Sequence, residues 1–137
     1  MRPESIPLDL AAYRYERAEM MLHDAKLLFN ADQWASANNR AYYCIFHAMR
    51  AVLALKQLDF KKHSGVISAF GREYIHSGLF PKQFATTINH ASIIRNLSDY
   101  DDFYICSGEE TRVLIEDAEE FLAVVREFLV GQNCDIQ

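Results

Sequence analysis

The chain has 137 residues, of which 50% are hydrophobic and 24% are charged, and its net charge is −5 at pH 7. This composition predicts one domain over residues 1–137 and excludes an intrinsically disordered chain. No apolar run approaches the roughly 18 residues that a membrane span requires, and the first ten residues do not resemble a signal peptide. Three scattered cysteines argue against disulfides and a zinc cluster, so we expect a cytoplasmic protein.

The charge is distributed unevenly along the chain. Residues 34–95 carry a net charge of +6, whereas residues 1–33 carry −2 and residues 96–137 carry −9. A basic segment of this kind is compatible with a site for phosphate or nucleic acid. It is also compatible with a basic helix that pairs with an acidic helix, within the fold or across a dimer, and this is the commoner case.

Apolar residues at helical spacing predict five helices and no strand. We expect them at about residues 8–30, 33–58, 64–76, 81–97 and 107–130. In the first helix the apolar positions with this spacing are Leu10, Tyr13, Ala18, Met21, Leu22, Ala25, Leu28 and Phe29. Helices of these lengths joined by short loops predict an all-α antiparallel bundle with its core over about residues 8–130.

Turn and capping residues set the expected helix ends. Asp32, Ser64 and Ser107 are expected at N-caps, and the last of these opens a Ser-x-x-Glu capping box. Pro81 fits the first turn of the fourth helix. Glycines are expected just past two helix ends, at positions Gly78 and Gly131.

A polar stripe runs along the second helix, which is otherwise rich in alanine and aromatic residues. Its members Arg40, Tyr43, His47 and Arg50 are spaced so that they share one face. Buried charges need partners, so the stripe either recognises phosphate or bonds to acidic groups of the last helix. The sequence leaves both interpretations open.

Arg95 lies near the centre of an otherwise largely apolar face of the fourth helix. An arginine in such a position is seldom without a partner. One interpretation is a clamp for an anion. The other is a structural ion pair with a cluster of carboxylates just beyond it, Asp99, Asp101 and Asp102.

The sequence predicts no cofactor and no metal site. It lacks a glycine-rich phosphate loop, a His-Glu-x-x-His motif and a Cys-x-x-Cys motif. The aspartates at residues 99–102 lack the glycine and distal glutamate of a calcium-binding loop. His63 follows two lysines at a predicted helix start, where it either contributes to an anion site or is an ordinary surface histidine.

Three segments resemble the signature of the HEPN domain (higher eukaryotes and prokaryotes nucleotide-binding). They are residues 39–48, which contain Asn-Arg-Ala-Tyr-Tyr and Phe-His-Ala, residues 62–66, which read Lys-His-Ser-Gly-Val, and residues 95–101, which read Arg-Asn-Leu-Ser-Asp-Tyr-Asp. Their order and the acidic final helix are similar to those of small stand-alone prokaryotic HEPN proteins. The resemblance covers about residues 8–130.

The resemblance implies a helical bundle that forms a homodimer, often as a toxin restrained by a minimal nucleotidyltransferase partner. Active members are metal-independent RNases in which four to six residues separate an arginine from a following histidine. In these members the 2′-OH of the RNA attacks the phosphate, the histidine handles a proton and the arginine stabilises charge. The resemblance therefore implies RNA or nucleotide as the ligand and no membrane partner.

The chain departs from this motif at the histidine. Arg95 and Asn96 match its start, but the following positions hold Tyr100 and two aspartates. The candidate catalytic residues are therefore Arg95, Asn96 and Tyr100. The candidate residues for binding RNA or nucleotide are Arg40, Tyr43, His47, His63 and Arg95.

Three functions follow from these features. The leading hypothesis is the HEPN component of a toxin–antitoxin-like module that binds RNA or nucleotide at Arg95. The second is a weak RNase in which His47 or His90, brought across a dimer, replaces the missing histidine. The third is a non-catalytic interaction module that docks the nucleotidyltransferase on its acidic fifth helix or near Tyr100 and Tyr104.

Overall fold

The computed structural model describes residues 6–136, which form an all-α helical bundle and contain no strand. Its helices are α1 (Ile6–Asn30), α2 (Trp34–Ala54), α3 (His63–Phe70), α4 (Gln83–Tyr100) and α5 (Gly108–Gly131). A π-helical turn, Gly71–Ile75, extends α3. The structure confirms the predicted fold class and the number of helices.

Helix α2 is the centre of the bundle and packs against each of the other four helices. It is buried on most of its circumference because small residues such as Ala37, Ala41 and Ala48 allow neighbouring helices to approach closely. The predicted polar stripe is an exception, since its four members remain partly exposed.

A cluster of aromatic rings fills the part of the core between α3, α4 and α5. Phe70 and Tyr74 stack on each other, and Phe80, Phe84 and Phe121 contact them or one another edge-on. These residues come from α3, the loop after it, α4 and α5. The cluster therefore joins α3, α4 and α5 in one part of the core.

Two predicted N-caps are wrong. Gln33 occupies the N-cap of α2, and Asp32 instead adopts a left-handed conformation with φ of 59° in the preceding turn. Helix α3 begins at His63 with Lys62 at its N-cap, so Ser64 lies inside the helix. In neither case does a side chain cap the helix.

The other predicted helix ends agree more closely with the structure. Ser107 is the N-cap of α5, and its hydroxyl accepts a hydrogen bond from the amide of Glu110 at 3.1 Å. Gly78 has φ of +86°, which suits the turn after α3. Pro81 precedes α4 rather than opening it, and Gly131 is the last residue of α5 rather than the first beyond it.

Helix α1 has a second apolar face that the bundle does not cover. Ala18 and Ala25 pack into the core, whereas the predicted apolar positions Leu10 and Tyr13 are 38% and 56% exposed.

Within the described residues, no helix is both long enough and apolar enough to cross a lipid bilayer.

Candidate anion-binding site

Arg95 lies on the face of α4 that crosses the aromatic part of α2. Its side chain is only 11% exposed. Its guanidinium carbon lies 4.8 Å from the ring centroid of Tyr42, 5.8 Å from that of Tyr43 and 5.9 Å from that of Tyr100. Three aromatic faces therefore hold one cation, which is an arrangement that stabilises a guanidinium away from bulk water.

His63 contacts this guanidinium directly. Its Nδ1 atom lies 3.3 Å from Nη2 of Arg95 and 2.9 Å from the hydroxyl of Tyr42. The imidazole also packs on Phe46, with ring centroids 4.2 Å apart. The first residue of α3 thus lies against α2 and α4, although it is far from Arg95 in sequence.

The contact with Arg95 favours one tautomer of the neutral His63. A guanidinium only donates hydrogen bonds, so Nδ1 of His63 must accept. The neutral imidazole therefore carries its proton on Nε2, which makes no hydrogen bond within residues 6–136. His63 consequently presents an N–H donor beside Arg95, and its basic nitrogen is already occupied.

The surroundings keep both histidines of the site neutral at pH 7. Burial lowers the pKa of His63, and the charges of Arg95 and Arg50 lower it further. Burial, followed by the charges of Arg17, Arg50 and other nearby groups, lowers the pKa of His47 to about 4. Burial is the larger cause of both shifts, and the arginine charges add positive potential at the site.

The positive charge of Arg95 is only partly compensated by its own chain. Nη1 of Arg95 lies 3.7 Å from a carboxylate oxygen of Asp99, and that oxygen accepts a hydrogen bond from Asn39 at 2.9 Å. Nε of Arg95 is buried and has no hydrogen-bond partner. The predicted ion pair is thus present with Asp99 as a long contact, and donors of the guanidinium remain unused.

A surface groove of about 560 Å³ lies at one end of this cluster. Arg40, Asn39, Asp99 and Tyr100 contribute to its walls. Arg40 donates a hydrogen bond to the side-chain oxygen of Asn39 at 2.8 Å, so Asn39 connects it to Asp99. The groove meets α4 at Ser98, Asp99 and Tyr100, within five residues of Arg95, which does not itself line it.

The other end of the stripe is occupied by an arginine pair. Arg50 and Arg14 both bond to Asp59 in the α2–α3 loop, at 3.3 Å and 3.2 Å. The alternative in which the stripe bonds to the last helix is therefore wrong for Arg50. Acidic groups of α5 instead bond to other residues, namely Lys26, Gln83 and Arg112.

The structure brings most of the candidate residues together. Arg95, His63, Tyr43 and Tyr100 form one cluster, and His47 adjoins it with its ring centroid 6.0 Å from that of Tyr43. The remaining candidates flank this cluster: Arg40 lies in the groove, and Asn96 is exposed beside Arg95 on α4.

Two contributors to the site were not predicted. Tyr42 and Phe46 are almost fully buried and read as ordinary core aromatics, yet they form the floor under Arg95 and His63. The signature segment of residues 39–48, which contains both, is the sequence signal that points to them. His90, in contrast, lies near Asp117 of α5. Burial raises the pKa of Asp117, and His90 opposes this effect.

Comparison with known proteins identifies the family. The model of the HEPN domain matches residues 11–128, which is most of the chain. The protein belongs to the HEPN family.

Within residues 6–136, no group of three or more histidine, cysteine or acidic side chains is placed to hold a metal ion.

Several curated HEPN relatives match over nearly the whole chain. A "UPF0332 protein" of Thermotoga maritima is 36% identical over 85% of this chain and 89% of its own length. "Putative toxin MJ0142" of Methanocaldococcus jannaschii is 31% identical over 86% of this chain and 80% of its own. "Putative toxin MJ0605" of the same organism is 35% identical over 83% of this chain and 84% of its own length.

Proposed function

We propose that this HEPN protein binds a phosphate group of RNA or of a nucleotide between Arg95 and His63, as the toxin-like component of a two-component module. The observation that carries the proposal is the contact of 3.3 Å between these side chains. It places an arginine with unused donors beside an imidazole whose Nε2–H is available.

The chemistry of the cluster favours an anion as its ligand. A guanidinium binds phosphate through its planar set of donors, and a neighbouring N–H adds a further hydrogen bond. His63 is also the first residue of α3, where the helix dipole adds partial positive charge. Tyr100, which is 74% exposed, offers a ring on which a base can stack.

Binding of a labelled oligouridylate, measured by fluorescence anisotropy at low and moderate salt, tests this proposal. Arg95→Ala should weaken binding by about tenfold to a hundredfold, since a charge-assisted hydrogen bond contributes about 1.5–3 kcal/mol. Arg112→Ala is the matched control, because Arg112 pairs with Glu109 and Glu116 on α5. Equal affinity in all three proteins, or no binding by the wild type, would contradict the proposal.

The role of His63 is tested separately with two variants. In His63→Gln the side-chain amide retains an N–H donor near the position of Nε2, whereas His63→Leu retains only bulk. We expect Gln to preserve most of the affinity and Leu to lose it. If both variants bind RNA as the wild type does, His63 is not a ligand of the phosphate.

Two partners complete the proposed module. We propose that the protein forms a homodimer and is restrained by a minimal nucleotidyltransferase, which docks near Tyr100. The loop after Tyr100 supports such docking, because Phe103 and Ile105 are 94% and 88% exposed. Co-purification with a co-expressed minimal nucleotidyltransferase tests this, and Phe103→Asp with Ile105→Asp should abolish it. Retention of the partner by that double variant would exclude this loop as the docking surface.

Metal-independent RNA cleavage is the second candidate function. The observation in its favour is that His63 lies beside Arg95, where the motif histidine of active HEPN proteins is missing from the sequence. To act as a base, Nδ1 of His63 would first have to leave both Tyr42 and Arg95, so we favour binding. RNA degradation in the presence of EDTA that is lost in His63→Ala would establish cleavage, whereas intact RNA would exclude it.

A further inference from the structure

Two arginines from different helices share a single carboxylate in the α2–α3 loop. Nη2 of Arg14, on α1, lies 3.2 Å from one oxygen of Asp59, and Nη2 of Arg50, on α2, lies 3.3 Å from the other. The side chains of Arg14 and Arg50 are only 10% and 26% exposed. Because one carboxylate cannot neutralise two guanidiniums, this partly buried cluster retains a net positive charge.

Arg50 has donors that the described residues leave unused. Its Nε is buried without a hydrogen-bond partner, and its Nη1 donates no hydrogen bond within residues 6–136. Arg14, in contrast, also donates to the backbone carbonyl of Arg50 at 3.2 Å. A buried donor without a partner costs free energy, and an anion that accepts from it removes that cost.

A groove of about 330 Å³ opens at this arginine. It is lined by Arg50, Asp59, Phe60 and Lys61. Lys61 is exposed and forms no ion pair within residues 6–136. Phe60 is 37% exposed and offers a ring on which a base can stack. Two cations and an aromatic ring beside a single carboxylate suit one nucleotide unit of a single strand.

The ring of Phe46 connects this groove to the cluster around Arg95. The guanidinium carbon of Arg50 lies 5.9 Å from the ring centroid of Phe46, and the ring centroid of His63 lies 4.2 Å from it. Arg50 and His63 are therefore separated by no more than the total of these distances, about 10 Å. A short single strand can bridge this separation, whereas one phosphate group cannot contact both ends.

We propose that Arg50 and Lys61 form a second phosphate-binding subsite, so that the ligand is a single-stranded oligoribonucleotide bound across both subsites rather than a mononucleotide. This inference rests on the proposed function at Arg95 and specifies the class of its ligand. A strand presents successive phosphates, and each one that is bound releases counterions and adds affinity. The exposed rings of Phe60 and Tyr100 favour a ligand with bases over an acidic peptide.

Fluorescence anisotropy with labelled hexauridylate over a series of salt concentrations tests the subsite. Arg50→Gln should weaken binding by about tenfold and Lys61→Glu by about fivefold. In Arg50→Gln the slope of log affinity against log salt should become shallower by about 0.7, the value for one lost phosphate contact on a single strand. Lys82→Glu is the matched control, since Lys82 is an exposed lysine outside both grooves. Lys61 is exposed, so its variant keeps the test valid if Arg50→Gln does not fold.

The length of the ligand provides the second readout. The wild type should bind labelled hexauridylate at least about tenfold more tightly than labelled uridine 5′-monophosphate, because only the longer ligand reaches both subsites. Arg50→Gln and Lys61→Glu should reduce this difference by weakening the hexamer alone. Equal affinity of the wild type for the two ligands would overturn the proposal, and so would hexaglutamate that displaces the labelled RNA as readily as unlabelled hexauridylate does.

The outcomes separate this proposal from the proposed function. If Arg95→Ala weakens RNA binding while Arg50→Gln and Lys61→Glu bind as the control does, the second subsite is excluded and the first remains. If both of these variants lose affinity while Arg95→Ala does not, the proposed function at Arg95 fails, and the bridging of two subsites fails with it.

Discussion

The guanidinium of Arg95 lies over the ring of Tyr42, with its carbon 4.8 Å from the ring centroid. Tyr42 is fully buried in α2, so it provides a rigid support for a charge that projects from α4. The same tyrosine positions His63 through its hydroxyl. One core residue thus orients both proposed ligands of the anion.

Tyr42→Phe should separate these two roles. The ring under Arg95 is kept, but the hydroxyl that bonds to Nδ1 of His63 is lost, at a cost of about 1 kcal/mol in the free energy of unfolding. Urea denaturation measures this loss, and Tyr13→Phe, at an exposed position on α1, should change stability by less than about 0.5 kcal/mol. An unchanged stability in Tyr42→Phe would show that the bond to His63 is not significant.

Arg95→Lys should impair binding although it keeps the positive charge. Lysine lacks the planar fork and does not stack on Tyr42 and Tyr43 in the same way. We expect RNA affinity to fall by about tenfold. An affinity equal to that of the wild type in the same anisotropy assay would mean that charge alone is recognised.

His47 should make stability depend on pH. Its pKa is lowered to about 4 in the folded protein, so the unfolded chain binds a proton more readily between pH 6.5 and 4. Stability is therefore fully present above pH 6.5 and falls as the pH decreases. The shift corresponds to about 3 kcal/mol, which screening at this half-buried position reduces to about 1–2 kcal/mol.

Urea denaturation of the wild type and of His47→Gln, at pH 7 and pH 4.5, measures this contribution. The wild type should lose about 1–2 kcal/mol more than the variant over that interval. The same loss in both proteins would show that His47 does not titrate with a lowered pKa.

Asn38 ties α2 to α4 behind the site. Its side chain is fully buried and donates to the hydroxyl of Ser98 at 3.1 Å and to the sulfur of Cys106 at 3.6 Å. Asn38→Ala should destabilise the fold by about 1–3 kcal/mol because the partly buried Ser98 and Cys106 lose their bonds to it. Asn39→Ala, one residue further at a more exposed position, should cost less. Similar midpoints in thermal unfolding for both variants would contradict this assignment.

The fold was predictable because its signals are local. Helical spacing along α1, α2 and α5 and the Ser107 cap depend on residues close in sequence, and the structure confirms them. The N-caps of α2 and α3 were predicted wrongly because Asp32 and Ser64 are favourable capping residues by type. The chain uses Gln33 and Lys62 instead, with no side-chain cap at either.

The candidate site was only partly predictable because its decisive contact is long-range. Arg95 and His63 are both recognisable in the sequence, but nothing local indicates that α3 begins against α4. The second apolar face of α1 was also missed. Leu10 and Tyr13 were grouped with the other apolar positions at helical spacing, and only the packing of the bundle shows which side of α1 is already covered.

The most direct test of the account is a long-range ¹H–¹⁵N NMR spectrum of the imidazole nitrogens at pH 7, recorded during titration with a short RNA. We predict that His63 is neutral with its proton on Nε2, and that this resonance shifts on RNA addition in the wild type but not in Arg95→Ala. A proton on Nδ1, or an Nε2 signal that RNA leaves unchanged, would contradict the proposed phosphate site.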